Sequence, residues 1–282
     1  MPGESFNSEF PPSRVVFAYE EEAEAQYNLG YRYHMGEGLT QDYGEAMKWY
    51  RKAAERGFAL AEYNVGCMYA RGEGVEPDPA AAVNWYHKAA SQGNARAQFS
   101  LGLAHESGIG VRRDYAEAMR WYREATDGGD AAAPNNLGRM FEDGRGVPQD
   151  LAEAVYWFRR GAELGNAIAQ FNLGRMYENG RGVARDYATA MKWYAKSADQ
   201  GVAEAQFNCG TMHYVGRGVP PNLAEAYRCF KLAASRFPDA QADQRRSAAT
   251  NRDLVAAQLA SAKSVDTIGT ARAESSDTGP SR

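Results

Sequence analysis

One short phrase returns every 36 residues along this chain: AQYNLG at Ala25, AEYNVG at Ala61, AQFSLG at Ala97, APNNLG at Ala133, AQFNLG at Ala169 and AQFNCG at Ala205. A period of that length marks a supersecondary unit that cannot bury its apolar side alone and must stack on its neighbours. The 282 residues are therefore read as one run of similar units rather than as one or two unrelated globular domains.

Aligned in rows of 36, the chain shows fixed columns. Trp stands at 49, 85, 121, 157 and 193, each followed by Tyr or Phe, with Phe230 in the sixth row. Glycine fills the columns headed by Gly30, Gly36 and Gly38 in every row, and the column of Gly57 in five rows.

Each row reads as two helices. In AQFNLGRMYENG, Ala169, Leu173, Met176 and Tyr177 fall at helical spacing, and Gly180 stands where a left-handed residue closes a helix. The second helix opens at Asp42, Asp78, Asp114, Asp150, Asp186 or Asn222, residues that accept from first-turn amides. Glu45, Glu117, Glu153 and Glu225 sit three residues later and predict a reciprocal capping box in four rows. Six rows give twelve antiparallel helices. The mid-helix Gly30 column costs about 1 kcal/mol per glycine relative to Ala, so close backbone approach is expected there.

A 36-residue pair reading A-Q-[FY]-N-L-G, then Y-x-x-G-x-G-V, then D-[YL]-A-E-A-M-K-W-[YF] resembles the Sel1-like repeat, a relative of the tetratricopeptide repeats, over about residues 22–238. The resemblance implies an all-α, right-handed α-α solenoid of six helix-turn-helix repeats. It also implies an adaptor or scaffold that holds another protein or peptide. The expected repeats are 22–56, 57–92, 93–128, 129–164, 165–200 and 201–238, within a repeat region 19–238. Residues 1–18 are expected to form a disordered lead-in and 264–282 a disordered tail. Residues 239–263 are read as a C-terminal capping helix, apolar at Ala249, Leu254, Ala257 and Leu259.

The face 24/28/31/35 of the first helix varies in size and charge from row to row, which packing would not produce. It is expected to be the concave partner-binding groove, with Asn28, Tyr31, Asn64, Arg71, Asn136, Arg139, Asn172, Arg175 and Asn208 as candidate contacts. The recurring Asn has two readings: it orients the stack by bonding the adjacent pair, or it clamps the backbone of an extended peptide. Arg145, Arg181 and Arg217 form a candidate basic rim, so an acidic partner is expected to be steered toward rows four to six. Pro134 predicts a late helix start and a candidate hinge in row four.

Other functions find little support. A net charge of −4 speaks against a general nucleic-acid binder. No run of apolar residues is long enough to span a membrane, and the first residues lack the basic and apolar segments of a secretory signal. Three cysteines are too few for a disulfide framework, so a cytoplasmic setting is expected, or a secreted or periplasmic one if a leader is missing. His105 and His213 share a core column three rows apart and cannot share a metal. No cofactor, metal or enzyme activity is expected. The alternatives are a β-lactam-binding or hydrolytic protein of the cysteine-rich Sel1-like type, whose paired cysteines this chain lacks, and a self-associating scaffold.

Overall fold

A computed structural model describes residues 12–276, with the side chains of residues 21–261. Among the described residues the regular elements are all helical. They fall into two compact units, residues 1–137 and 138–282. The first holds α1 (Pro12–Met35), α2 (Tyr43–Glu55), α3 (Ala59–Arg71), α4 (Pro79–Ser91), α5 (Ala95–Ser107), α6 (Tyr115–Asp127) and the start of α7 (Ala133–Asp143). The second holds the rest of α7, then α8 (Leu151–Glu163), α9 (Ala167–Asn179), α10 (Tyr187–Asp199), α11 (Ala203–Val215), α12 (Leu223–Arg236) and α13 (Ala242–Ser276).

In the first unit α1–α2, α3–α4 and α5–α6 pack as hairpins, and α2–α3 and α4–α5 join one hairpin to the next. The second unit repeats the scheme with α9–α10 and α11–α12, joined through α8–α9 and α10–α11, and α13 lies against α12. This is the all-α stack of helix-turn-helix repeats that the 36-residue period requires.

The glycine column explains how closely each pair meets. A Cβ on Gly174 would stand 2.7 Å from Cδ1 of Tyr194, and one on Gly66 would stand 2.6 Å from Cε1 of Tyr86. Gly138 faces Phe158 at 2.6 Å and Gly210 faces Phe230 at 2.8 Å in the same way. These rings lie on the helix backbone itself, and Tyr50, Tyr122, Phe158, Tyr194 and Phe230 are all fully or almost fully buried. The neighbouring tryptophans sit further out. Only Trp121 is buried, while Trp49, Trp85, Trp157 and Trp193 are half-buried. Lys52, Lys88 and Lys196 cover the Trp49, Trp85 and Trp193 rings at 4.1, 3.8 and 4.4 Å. These three tryptophans thus close the edge of the core under a lysine, an arrangement that suits an indole with one wet face.

Helix starts follow the expected residues, with one correction. The Asp42, Asp78, Asp114, Asp150, Asp186 and Asn222 side chains each accept from a first-turn amide. The return half of the capping box is replaced: Glu45, Glu117 and Glu225 pair with Lys48, Arg120 and Arg228. The reason is that the cap N–H is already taken. Asp42 donates to the Tyr33 carbonyl and Asp114 to that of His105, tying the second helix back to the first. The link glycines Gly72, Gly108, Gly180 and Gly216 take the left-handed conformation expected of them.

A further sequence column gains its meaning here. The Gln98, Gln170 and Gln206 side chains donate to the carbonyls of Ala90, Ala162 and Ala198, satisfying the open end of the preceding helix. In row four Pro134 takes that place. There α7 starts at Ala133, two residues later than its counterparts, and Asp130 accepts from the Ala132 and Ala133 amides.

Both ends of the chain differ from expectation. Helix α1 begins at Pro12, inside the segment read as a lead-in, and residues 1–11 lie outside the described residues. Proline is at ease in a first helical position, and a helix nucleated by its packed part extends at little cost. For the same reason α13 runs past the expected cap, 239–263, through Ser276; residues 277–282 lie outside the described residues. Its inner face is Ala248 and Val255 with Leu259, whereas Leu254 and Ala257 are exposed. The expected stripe was rotated because Ala249 and Leu254 outweigh Ala248 in a reading by hydrophobicity alone.

Candidate functional site

The asparagine column lies on the first helices, and Asn64, Asn136 and Asn208 each stand above the buried tyrosine of the repeat before. Asn136 Nδ2 donates to the Tyr122 hydroxyl at 3.1 Å, and that hydroxyl donates to Glu106 Oε2 at 2.6 Å. The same chain runs from Asn208 through Tyr194 to Glu178, with the last contact at 2.6 Å. Asn64 bonds the Tyr50 hydroxyl, which also meets His34 Nδ1 at 3.4 Å. Burial, joined at Tyr194 by the Glu178 carboxylate, raises the pKa of the Tyr50 and Tyr194 phenols well above the usual range. Of the two readings of the column, orientation of the stack fits Asn64, Asn136 and Asn208, each of which bonds a tyrosine of the repeat before.

Row four departs from this chain, and the departure shapes the surface. Its buried ring is Phe158, with no hydroxyl to offer Glu142, the counterpart of Glu106 and Glu178. Glu142 is only 6% exposed and turns to the next repeat, taking Arg175 at 2.8 Å and Arg181 at 2.7 Å. Two of the candidate arginines are therefore held by one carboxylate. A basin of about 520 Å³ opens beside them, lined by Arg139, Asp143, Ile168, Phe171, Asn172 and Glu204 among others.

The remaining candidates are placed as follows. Asn28, Tyr31, Arg71 and Arg139 are exposed, Asn64, Asn136 and Asn208 are half-buried, and Asn172 is buried at 7%. Arg71 lies 3.7 Å from Glu73, which also takes His34 at 3.1 Å. Of the basic rim, Arg145 pairs with Asp143 at 3.0 Å, Arg181 is held by Glu142, and Arg217 is exposed over the Tyr187 ring. Exposed large apolar side chains gather on this face. Among the described residues eleven large apolar side chains are exposed, and six of them stand on columns 24, 31 and 35: Tyr31, Met35, Leu60, Leu103, Ile168 and Val215. Four of the six belong to the first unit.

His105 is buried, as its core column implies, and stacks edge-on with His87, which also meets Trp121. The two histidines replace the arginine–tyrosine pair seen between Arg159 and Tyr177, where the guanidinium donates to the phenol at 2.8 Å. Cys67, Cys209 and Cys229 are buried free thiols. Burial and the neighbouring Cys229 push Cys209 up to about 12. Among the described residues no helix is long and apolar enough to cross a membrane.

The Sel1 repeat model matches six times, at residues 23–58, 59–94, 95–130, 131–166, 167–202 and 203–236. A Sel1 repeat protein from Oxalobacter formigenes is 36% identical, with a TM-score of 0.73 over 80% of this chain and 91% of its own. A protective antigen present in uropathogenic Escherichia coli strains, displaying an SLR fold, is 33% identical, with a TM-score of 0.72 over 84% of this chain and 54% of its own. This chain thus spans about half the length of that antigen. No curated protein matches the sequence. Six consecutive matches, covering the hairpins from α1 to α12, make the assignment: the chain belongs to the Sel1 repeat family.

Proposed function

We propose that this protein is an adaptor that binds a segment of a partner protein along the first-helix face of its repeats. Sel1-repeat proteins are generally protein-interaction scaffolds and generally non-enzymatic. The observation that carries the reading is the concentration of exposed Tyr31, Met35, Leu60 and Leu103 on one face of consecutive first helices. Scattered exposed apolar residues are ordinary, but a set gathered on one face marks a surface that another molecule covers. Leu103 and Ile109 also border a pocket of about 220 Å³ with Val83 and Tyr86. Three buried free thiols suit a reducing compartment, which favours a cytoplasmic setting.

The test is affinity capture from cell extract with mass spectrometry, using the full chain and surface variants. Leu60→Glu with Leu103→Glu should remove the captured partners, while Lys48→Glu on the exposed side of α2 should retain them. Partners that persist with Leu60 and Leu103 replaced, and with Arg139→Glu and Arg175→Glu added, refute the assignment of this face.

A further inference from the structure

In the second unit the first-helix face carries a second, smaller cavity next to the arginine basin. It has a volume of about 360 Å³, within the range of small-ligand and side-chain pockets, and is walled by Phe171, Phe207 and Phe237 with Asn208 and with Asp243, whose carboxylate is paired with Arg246. Phe171 and Glu204 line both spaces, so the basin and the cavity adjoin.

The charges along this path are arranged in a definite order. The basin holds three arginines (Arg139, Arg175, Arg181) and three carboxylates (Glu142, Asp143, Glu204), so its formal sum is zero. Glu142 takes Arg175 and Arg181, and Asp143 takes Arg145. Arg139 on α7 and Glu204 on α11 are left without an ion-pair or hydrogen-bond partner among the described residues. A free cation thus stands at one end and a free, half-buried carboxylate at the other, beside the phenylalanine cavity. A purely acidic segment would meet its counter-charge only at Arg139 and would be repelled by Glu204.

We propose that this groove receives an extended peptide of mixed charge, with an acidic residue at Arg139, a basic residue at Glu204 and a large apolar side chain among Phe171, Phe207 and Phe237. The inference rests on the adaptor reading and adds the chemistry of the partner. Neighbouring helices pack about 10 Å apart, so two steps from α7 to α11 cover about 20 Å. An extended chain rises about 3.3 Å per residue, and Arg139 and Glu204 are also offset by about 10 Å along the helix axes, which separates the acidic and basic residues by about six or seven positions. The apolar residue lies next to the basic one, because Glu204 itself borders the cavity. A surface cavity of this kind supplies the anchor, and the two charges along the groove fix register and direction.

The experiment uses the full chain and fluorescent synthetic peptides read by anisotropy at low salt. The probe carries Asp six positions from Lys, with Phe adjacent to Lys and Ser/Gly spacers, and is made in both chain directions. One direction is expected to bind, and replacing its Lys by Glu or its Phe by Ala should weaken it at least tenfold. Arg139→Glu should weaken the probe by a similar factor. Glu204→Lys should reverse the preference, so that the Glu-bearing peptide binds better than the Lys-bearing one. Far-UV circular dichroism checks that each variant is folded, and Arg139→Glu changes an exposed side chain in any case. A preference for an all-acidic peptide, equal binding of all peptides, or no binding of any overturns the inference. Cellular partners lost with Leu60→Glu and Leu103→Glu, combined with such a result, would leave the adaptor reading standing and reject only the mixed-charge groove.

Discussion

Replacing Gly174 by Ala tests the packing logic of every repeat. On an isolated helix the change is favourable by about 1 kcal/mol, because alanine is the better helix former. In this protein the new methyl would lie 2.7 and 2.8 Å from Cδ1 and Cε1 of Tyr194 and 3.2 Å from Cγ. Carbon atoms rest at about 3.5–4.0 Å, so the ring must retreat by about 1 Å. Tyr194 is fully buried, and its hydroxyl is held by Glu178 and Asn208. Overpacking of a filled core costs about 1–3 kcal/mol, and loosening a hydrogen bond to a charged acceptor costs about 1.5–3 kcal/mol more. After subtracting the helix gain, Gly174→Ala should destabilise by roughly 1.5–5 kcal/mol, seen as a lower urea midpoint by far-UV circular dichroism. In a Tyr194→Ala background the obstacle is gone, so the same substitution should be neutral or stabilising by up to about 1 kcal/mol. The reversal of sign is the decisive result. If Gly174→Ala raises the midpoint with Tyr194 in place, or costs the same in both backgrounds, the close approach is not what selects glycine.

Three further outcomes follow from the site. Tyr122→Phe and Asn136→Ala should show a coupling of about 1 kcal/mol in a double-mutant cycle, since each removes one end of the same 3.1 Å bond; additive losses would reject the orienting role. Burial, then His105 and Arg120, lower the His87 pKa from its ordinary 6.5, so the unfolded chain binds the proton more readily than the folded one. The His87 contribution is therefore fully present above about pH 6.5 and is lost as pH falls below it. The urea midpoint of His87→Gln should accordingly fall less than that of the parent between pH 7.5 and 5.5. Iodoacetamide at pH 8 should label none of the three thiols of the folded chain at an appreciable rate and all three in urea; rapid native labelling of Cys209 would contradict its burial.

The sequence by itself determined the architecture. The 36-residue period, the glycine and aromatic columns, and the Asp or Asn before each second helix specify paired helices, because each is a local or nearest-neighbour requirement that repeats with the unit. The late start of α7 was legible in Pro134 for the same reason. The candidate site was legible only as a face. Its variable columns mark where packing leaves residue choice free, but not which of those residues are already engaged. Asn136 and Asn208 are spent on tyrosines, and Arg175 and Arg181 on Glu142. These pairings join side chains 14 to 39 positions apart in sequence. Tertiary structure alone decided them, because the missing hydroxyl of Phe158 leaves Glu142 to Arg175 and Arg181 only once rows four and five are stacked on one another. A repeat fixes its own fold through contacts that recur, while the charge left over for a partner depends on the rows where a contact does not.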